Sequence, residues 1–162
     1  MLINSELQME RMMEDIAKIL RQRYGVETPI QSIEKIVHKM GGKIEVNTEL
    51  TECKLGGTQG AFIIYVPSEN YMKSAYGRFM IARKLGLYAK YCMFGEKEIS
   101  NSFTDEVWAS EFAMRFLVPA DSLIRLLQGK WADLNTSELA AYFNIPVIFY
   151  INRVALWNTQ NR

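Results

Sequence analysis

The chain has 162 residues, 49% of them hydrophobic and 12% aromatic, which suits about one domain with a real core. Nineteen basic residues face eighteen acidic ones, and that balance excludes a bulk electrostatic pull toward nucleic acid or a membrane surface. The most restrictive count is the single histidine, His38, which excludes a metal site built on two histidines of one chain. His38 lies in IEKIVHKMGG, where it reads as an exposed or half-buried helix residue. The two cysteines, Cys53 and Cys92, form no CxxC pair and read as free thiols of a reducing compartment. No apolar run approaches the roughly 18 residues of a membrane span. The N-terminal MLINSELQMERMMEDIAKIL carries acids that make it a poor secretory signal, so a cytoplasmic protein with no membrane partner is expected.

Residues 5–24 are predicted as a helix, with Met9, Met12, Met13, Ile16, Ile19 and Leu20 at helical spacing and Gly25 as its end. Its methionines serve either as adaptable core filler or as a self-associating face. A second helix is predicted over about 29–40, with Thr28 as N-cap and Pro29 in the first turn. KIEVN at 43–47 alternates as a half-buried strand with Ile44 and Val46 on one face. Leu55–Gly57 reads as a turn, and GAFIIYV at 60–66 as a fully buried strand ended by Pro67. Short connections predict antiparallel pairing in a sheet of two or three strands.

From about Asn70 the pattern is helical. Residues 72–93 form one long apolar helix whose Gly77 and Gly86 imply close packing or a sharp start near Gly77. Ser102 and Asp105 have capping-box spacing ahead of a helix over about 104–117, which Pro119 breaks. A short helix over 120–128 is predicted to end at Gly129. Asn135 and Glu138 repeat the capping spacing before SELAAYF, and Pro146 opens a last helix to about Trp157. No repeat, low-complexity tract or linker interrupts the chain. One domain over 1–162 is therefore expected, with residues 1–25 either built into it or appended.

Two blocks carry a resemblance. RFMIARKLGL at 78–87 and EVWASEFAMRFLVP at 106–119 resemble the ImmA/IrrE family of small zinc metallo-endopeptidases. That family reads Arg-Phe-x-Ile-Ala-His-Glu-Leu-Gly-His on one helix, then Glu-x-x-Ala-Asn-x-Phe-Ala and Leu-Met-Pro on the next. Arg78, Phe79, Ile81, Ala82, Leu85 and Gly86 match the first block. Glu106, Ala109, Phe112, Ala113, Leu117 and Pro119 match the second. PIQSIEKIVHKMGGKIEV, LGGTQGAFIIYV and ELAAYFNIPVIFYINRVALW extend the resemblance over about residues 27–157. It implies an α+β, helix-dominated, zincin-like domain with a small sheet and a helix-turn-helix-like C-terminal tail.

The resemblance also shows what is missing. Two histidines at i and i+4 hold the family's zinc, and Arg83 and Leu87 stand in their places. Lys84 replaces the general-base glutamate. Only the third ligand, Glu106, is kept. Arg83 has no lone pair to donate, Leu87 has no donor atom, and a charged Lys84 cannot take a proton from water. The expected cofactor is therefore none, although the family uses zinc. The implied role is a pseudoenzyme that binds a protein, a repressor-like regulator of a phage or mobile element being the partner class. Arg83, Lys84, Leu87 and Glu106 would line the former site, with Tyr88 and Ser110 nearby. Without zinc, Glu106 needs a cation, and Arg83 or Lys84 is expected to supply it.

Three other readings stand beside it. An active peptidase with an unusual metal site would need Glu106 together with groups such as Glu96 or Glu98. A self-associating scaffold would use the Met-rich N-terminal helix. A DNA-binding helix-turn-helix would need polar residues on its second helix, yet PVIFY at 146–150 is almost wholly apolar and Arg153 is its one cation up to residue 157. No GxSxG elbow is present, and GGTQG lacks the lysine and Ser/Thr of a P-loop.

Overall fold

The computed structural model describes residues 2–95, 103–128 and 133–160. The elements in chain order are α1 (Leu2–Tyr24), α2 (Ile33–Lys39), β1 (Lys43–Val46), β2 (Lys54–Thr58), β3 (Ala61–Val66), α3 (Glu69–Lys73), α4 (Ala75–Phe94), α5 (Phe103–Leu117), α6 (Ala120–Gln128), α7 (Thr136–Phe143) and α8 (Val147–Gln160). The class is α+β with helices dominant, as the sequence predicts. The chain divides into two compact units, a contiguous one over Gln31–Ala113 and a split one made of Met1–Ile30 and Met114–Arg162.

In the contiguous unit, α2 begins four residues later than the pattern predicts. Ser32 is its N-cap and accepts a hydrogen bond from the Lys35 amide, whereas Thr28 is occupied by the Arg21 guanidinium. The sheet is also different from the expected one. Its order is β1-β3-β2, with β1 parallel and β2 antiparallel to β3. Consecutive strands do alternate in direction, as short connections require, but β3 enters between β1 and β2 and so meets β1 in parallel. Leu55–Gly57 is strand rather than turn, pairing with Phe62–Ile64 of β3. Within β3, Phe62, Ile64 and Val66 are buried while Ile63 and Tyr65 are only half-covered, so one face is sealed rather than both. Val46, on edge strand β1, is exposed, and the expected pairing of Ile44 with Val46 on one covered face fails there.

The predicted helix over 72–93 is broken at Ser74. That residue ends α3 and caps α4, its hydroxyl accepting from the Gly77 amide at 3.0 Å. Gly77 explains the break. A Cβ there would lie 1.7 Å from the Tyr71 carbonyl oxygen, so only glycine lets the chain turn this tightly. α4 is then buried nearly all round, from Gly77 to Ala82 and from Lys84 to Ala89. A helix without a wet face belongs at the centre of a unit. At Gly86 α5 packs close, since a Cβ there would meet the Phe112 ring at 2.6 Å.

The split unit holds α1, the end of α5, α6, α7 and α8. α1 is built into it: Met13, Ile16 and Ala17 are buried, and Glu14 reaches the guanidinium of Arg153 at 2.6 Å. α7 carries the predicted capping box, with Asn135 and Glu138 each bonded to the other's backbone amide. Asn144 adopts a left-handed conformation and α8 leaves α7 at a bend of 100°. Among the described residues no single helix is long and apolar enough to cross a membrane. The predicted Ser102 cap and the Gly129 stop lie outside the described residues.

Candidate functional site

The residues singled out by the two sequence blocks fall on α4 and α5 within the contiguous unit. Glu106 sits in the first turn of α5, where the helix dipole favours a carboxylate. Arg83 and Lys84 sit side by side at mid-α4. The Arg83 guanidinium forms a hydrogen-bonded ion pair with Glu106 Oε2, and Lys84 Nζ lies 3.8 Å from Oε1. One carboxylate is thus held by two cations, one on each oxygen. Arg83 also donates to Met80 Sδ at 3.3 Å and to the Glu106 carbonyl oxygen at 3.5 Å.

The cluster is largely dry. Side-chain exposure is 17% for Arg83, 10% for Lys84 and 32% for Glu106. At that depth the pair is screened much less than a surface pair. A second ion pair runs alongside, between Lys90 of α4 and the buried Asp105 of α5. Lys90 lies seven residues beyond Arg83 and Asp105 precedes Glu106, so the two pairs form one stripe between the helices. The sequence reading missed this second pair. The signal was available, since Lys90 is two turns from Arg83 and Asp105 adjoins Glu106.

The remaining predicted residues have structural tasks. Leu87 is 3% exposed and packs in the core. Tyr88 is buried too, its ring stacked on Phe62 at 3.9 Å and its hydroxyl accepting from the Gly60 amide at 2.8 Å. It fastens α4 to the β2–β3 hairpin. The Ser110 hydroxyl donates back to the Glu106 carbonyl oxygen at 3.0 Å, a local helix bond. Glu96 and Glu98 lie outside the described residues.

Beside the cations stands a group the sequence did not suggest. Glu52, on the loop before β2, accepts from the Tyr71 hydroxyl at 3.0 Å and from Tyr76 at 3.2 Å. The two rings meet edge to face at 6.0 Å. Burial, reinforced by the hydrogen bond to Glu52, raises the Tyr71 pKa. Next to Glu52, Cys53 is 5% exposed, and burial pushes its thiol up to about 12 although the charges of Lys84 and Arg83 pull the other way. Such a thiol is not a nucleophile at neutral pH.

Zinc does not fit these residues. Of the three positions that the resemblance would make ligands, Arg83, Leu87 and Glu106, only Glu106 offers a donor atom, and both its oxygens lie against cations. Among the described residues no group of three or more His, Cys, Asp or Glu side chains is placed to hold a metal ion. No family model matches the chain, and neither a curated protein nor a solved structure matches it significantly.

Proposed function

We propose that this chain is a catalytically silent relative of the ImmA/IrrE zinc peptidases, with a zincin-like helix pair, that works by binding a protein. One observation carries the reading: the carboxylate at the third ligand position is neutralised by Arg83 and Lys84, which replace a histidine and the general base. The positive charge a metal would supply is provided by side chains. The partner class is a repressor-like regulator of a phage or mobile element, held without being cut, in the cytoplasm.

The test has two arms on untagged protein. Metal analysis is expected to give far less than one zinc per chain. Mixing with a repressor encoded beside the gene is expected to give a stable complex and an intact repressor. Stoichiometric zinc together with repressor cleavage would overturn the reading in favour of an active peptidase. The shape of the tail, with α7 and α8 bent by 100°, is similar to a helix-turn-helix. Its chemistry favours protein over DNA, because Arg153 is fully buried and bonded to the Val118 carbonyl at 2.9 Å while Val147, Ile148 and Ile151 face outward.

Self-association is the second reading. Met9, Met12 and Ile19 of α1 are 53%, 39% and 58% exposed and fall on one side of the helix, an apolar strip among its exposed residues. Deleting α1 is a poor test because Glu14 and Arg21 hold the split unit together. Met9→Gln, Met12→Gln and Ile19→Gln combined keep that unit. Sedimentation that shows the same monomer before and after the change would remove the self-association reading.

A further inference from the structure

The split unit contains a cavity of about 310 Å³, at the small end of the range for ligand pockets. Four cationic side chains line it, Lys18, Arg21, Arg115 and Arg125, against two carboxylates, Glu14 and Asp121. Glu14 is already committed, since it bridges Arg115 Nε at 3.3 Å and Arg153 Nη2 at 2.6 Å. Asp121 is exposed at the start of α6.

Arg21 is the informative residue. It is 8% exposed, and its guanidinium donates to four neutral oxygens: the carbonyls of Phe116, Val26 and Glu27 and the Thr28 hydroxyl. Those bonds fix its plane but leave its charge uncompensated by a carboxylate. Burial alone lowers its pKa, to about 10, whereas a neighbouring anion would have raised it. At neutral pH it is still charged, and a buried guanidinium facing a cavity favours an anion there. Lys18 and Arg125 are exposed residues of the lining; Arg125 Nε donates to the Asp121 carbonyl oxygen at 3.3 Å, which leaves its terminal nitrogens to reach an anion.

We propose that this cavity binds a small phosphate-bearing molecule, with Arg21 at its floor and Lys18 and Arg125 at its rim. The excess of two positive charges in the lining matches a dianionic phosphate monoester better than a monoanion. Guanidinium groups suit phosphate oxygens because their donors lie in a rigid plane. The proposal is independent of the reading of Arg83, Lys84 and Glu106, which belong to the other unit.

The test is thermal unfolding of the full chain in inorganic phosphate, in succinate and in chloride, at matched ionic strength. Phosphate is expected to raise the midpoint above chloride in a saturable way and succinate to do so less. The double variant Lys18→Gln/Arg125→Gln changes only exposed side chains and should fold normally. Its apparent affinity for phosphate is expected to fall about 10-fold or more, as when charge-assisted bonds are lost. Arg21→Gln should abolish the effect, and if that variant does not fold the rim variant still decides. No phosphate effect beyond chloride, an equal effect in the rim variant, or a larger effect of succinate would each overturn the proposal.

Discussion

Replacing Glu106 by glutamine keeps the shape of the α4–α5 contact and removes its charge. Arg83 and Lys84 would then sit at 17% and 10% side-chain exposure with no carboxylate between them. Breaking a fully buried pair costs about 3–5 kcal/mol, and breaking an exposed one costs about 0–1 kcal/mol. Glu106 is 32% exposed, so the loss should fall between those limits, at about 1–3 kcal/mol. For a chain of this length that is a melting-point drop of about 3–9 °C. The Arg83→Met variant completes a double-mutant cycle, and the coupling between the two sites should be about 1–2 kcal/mol. Urea unfolding of the four proteins measures it. Coupling below about 0.3 kcal/mol, which is within ordinary additivity, would show that Glu106 and Arg83 do not compensate each other's charge.

Three further outcomes test the fold around this site. Gly77→Ala should cost about 3 kcal/mol or more in thermal unfolding, because the new Cβ meets a backbone carbonyl that no rotamer change can move aside. Retained stability would contradict the tight break at Ser74. In thiol labelling of the folded protein at neutral pH, half-buried Cys92 should react and Cys53 should be protected. The Cys53 thiol titrates near 9.0 when exposed and near 12 in the fold. Its contribution to stability is thus fully present below pH 9 and is lost as pH rises toward 12, at a slope of up to about 1.4 kcal/mol per pH unit. Cys53→Ala should remove that slope, and labelling of Cys53 as fast as Cys92 would refute its burial.

The helices were legible because apolar spacing and caps are local signals. Asn135 with Glu138 is the clearest case, since both halves of the box lie within one turn. What the sequence could not give was set by distant contacts. The place of β3 between β1 and β2 depends on which strand edge is left unpaired, and nothing within KIEVN or LGGTQG encodes that choice. The break at Ser74 depends on how near Tyr71 comes to Gly77, so a glycine in an apolar run was visible while its reason was not. Thr28 has the composition of a helix cap, yet Arg21 claims its hydroxyl. At the candidate site, the pairing of Glu106 with a cation was legible only through the resemblance, which implies a carboxylate in a cleft with no metal beside it and so in need of another positive charge. Glu52, Tyr71 and Tyr76 come from three separate segments and carry no pattern of their own. Tyr88 and Ser110 were expected on the cleft, but their hydrogen bonds serve the hairpin and the helix backbone.

The bond from Arg153 to Glu14 joins residues 139 positions apart. Arg153 also ties α8 to the Val118 carbonyl, so three distant stretches of chain converge on one guanidinium. During synthesis the contiguous unit has its whole sequence available once Ala113 has emerged. The split unit does not, because α1 must wait for α8 before Glu14 gains that cation. Loop closure over such a span is slow relative to local helix and hairpin formation. α1 is therefore made before the last of its own partners, and until α8 emerges the apolar residues of α1 stay available to other molecules.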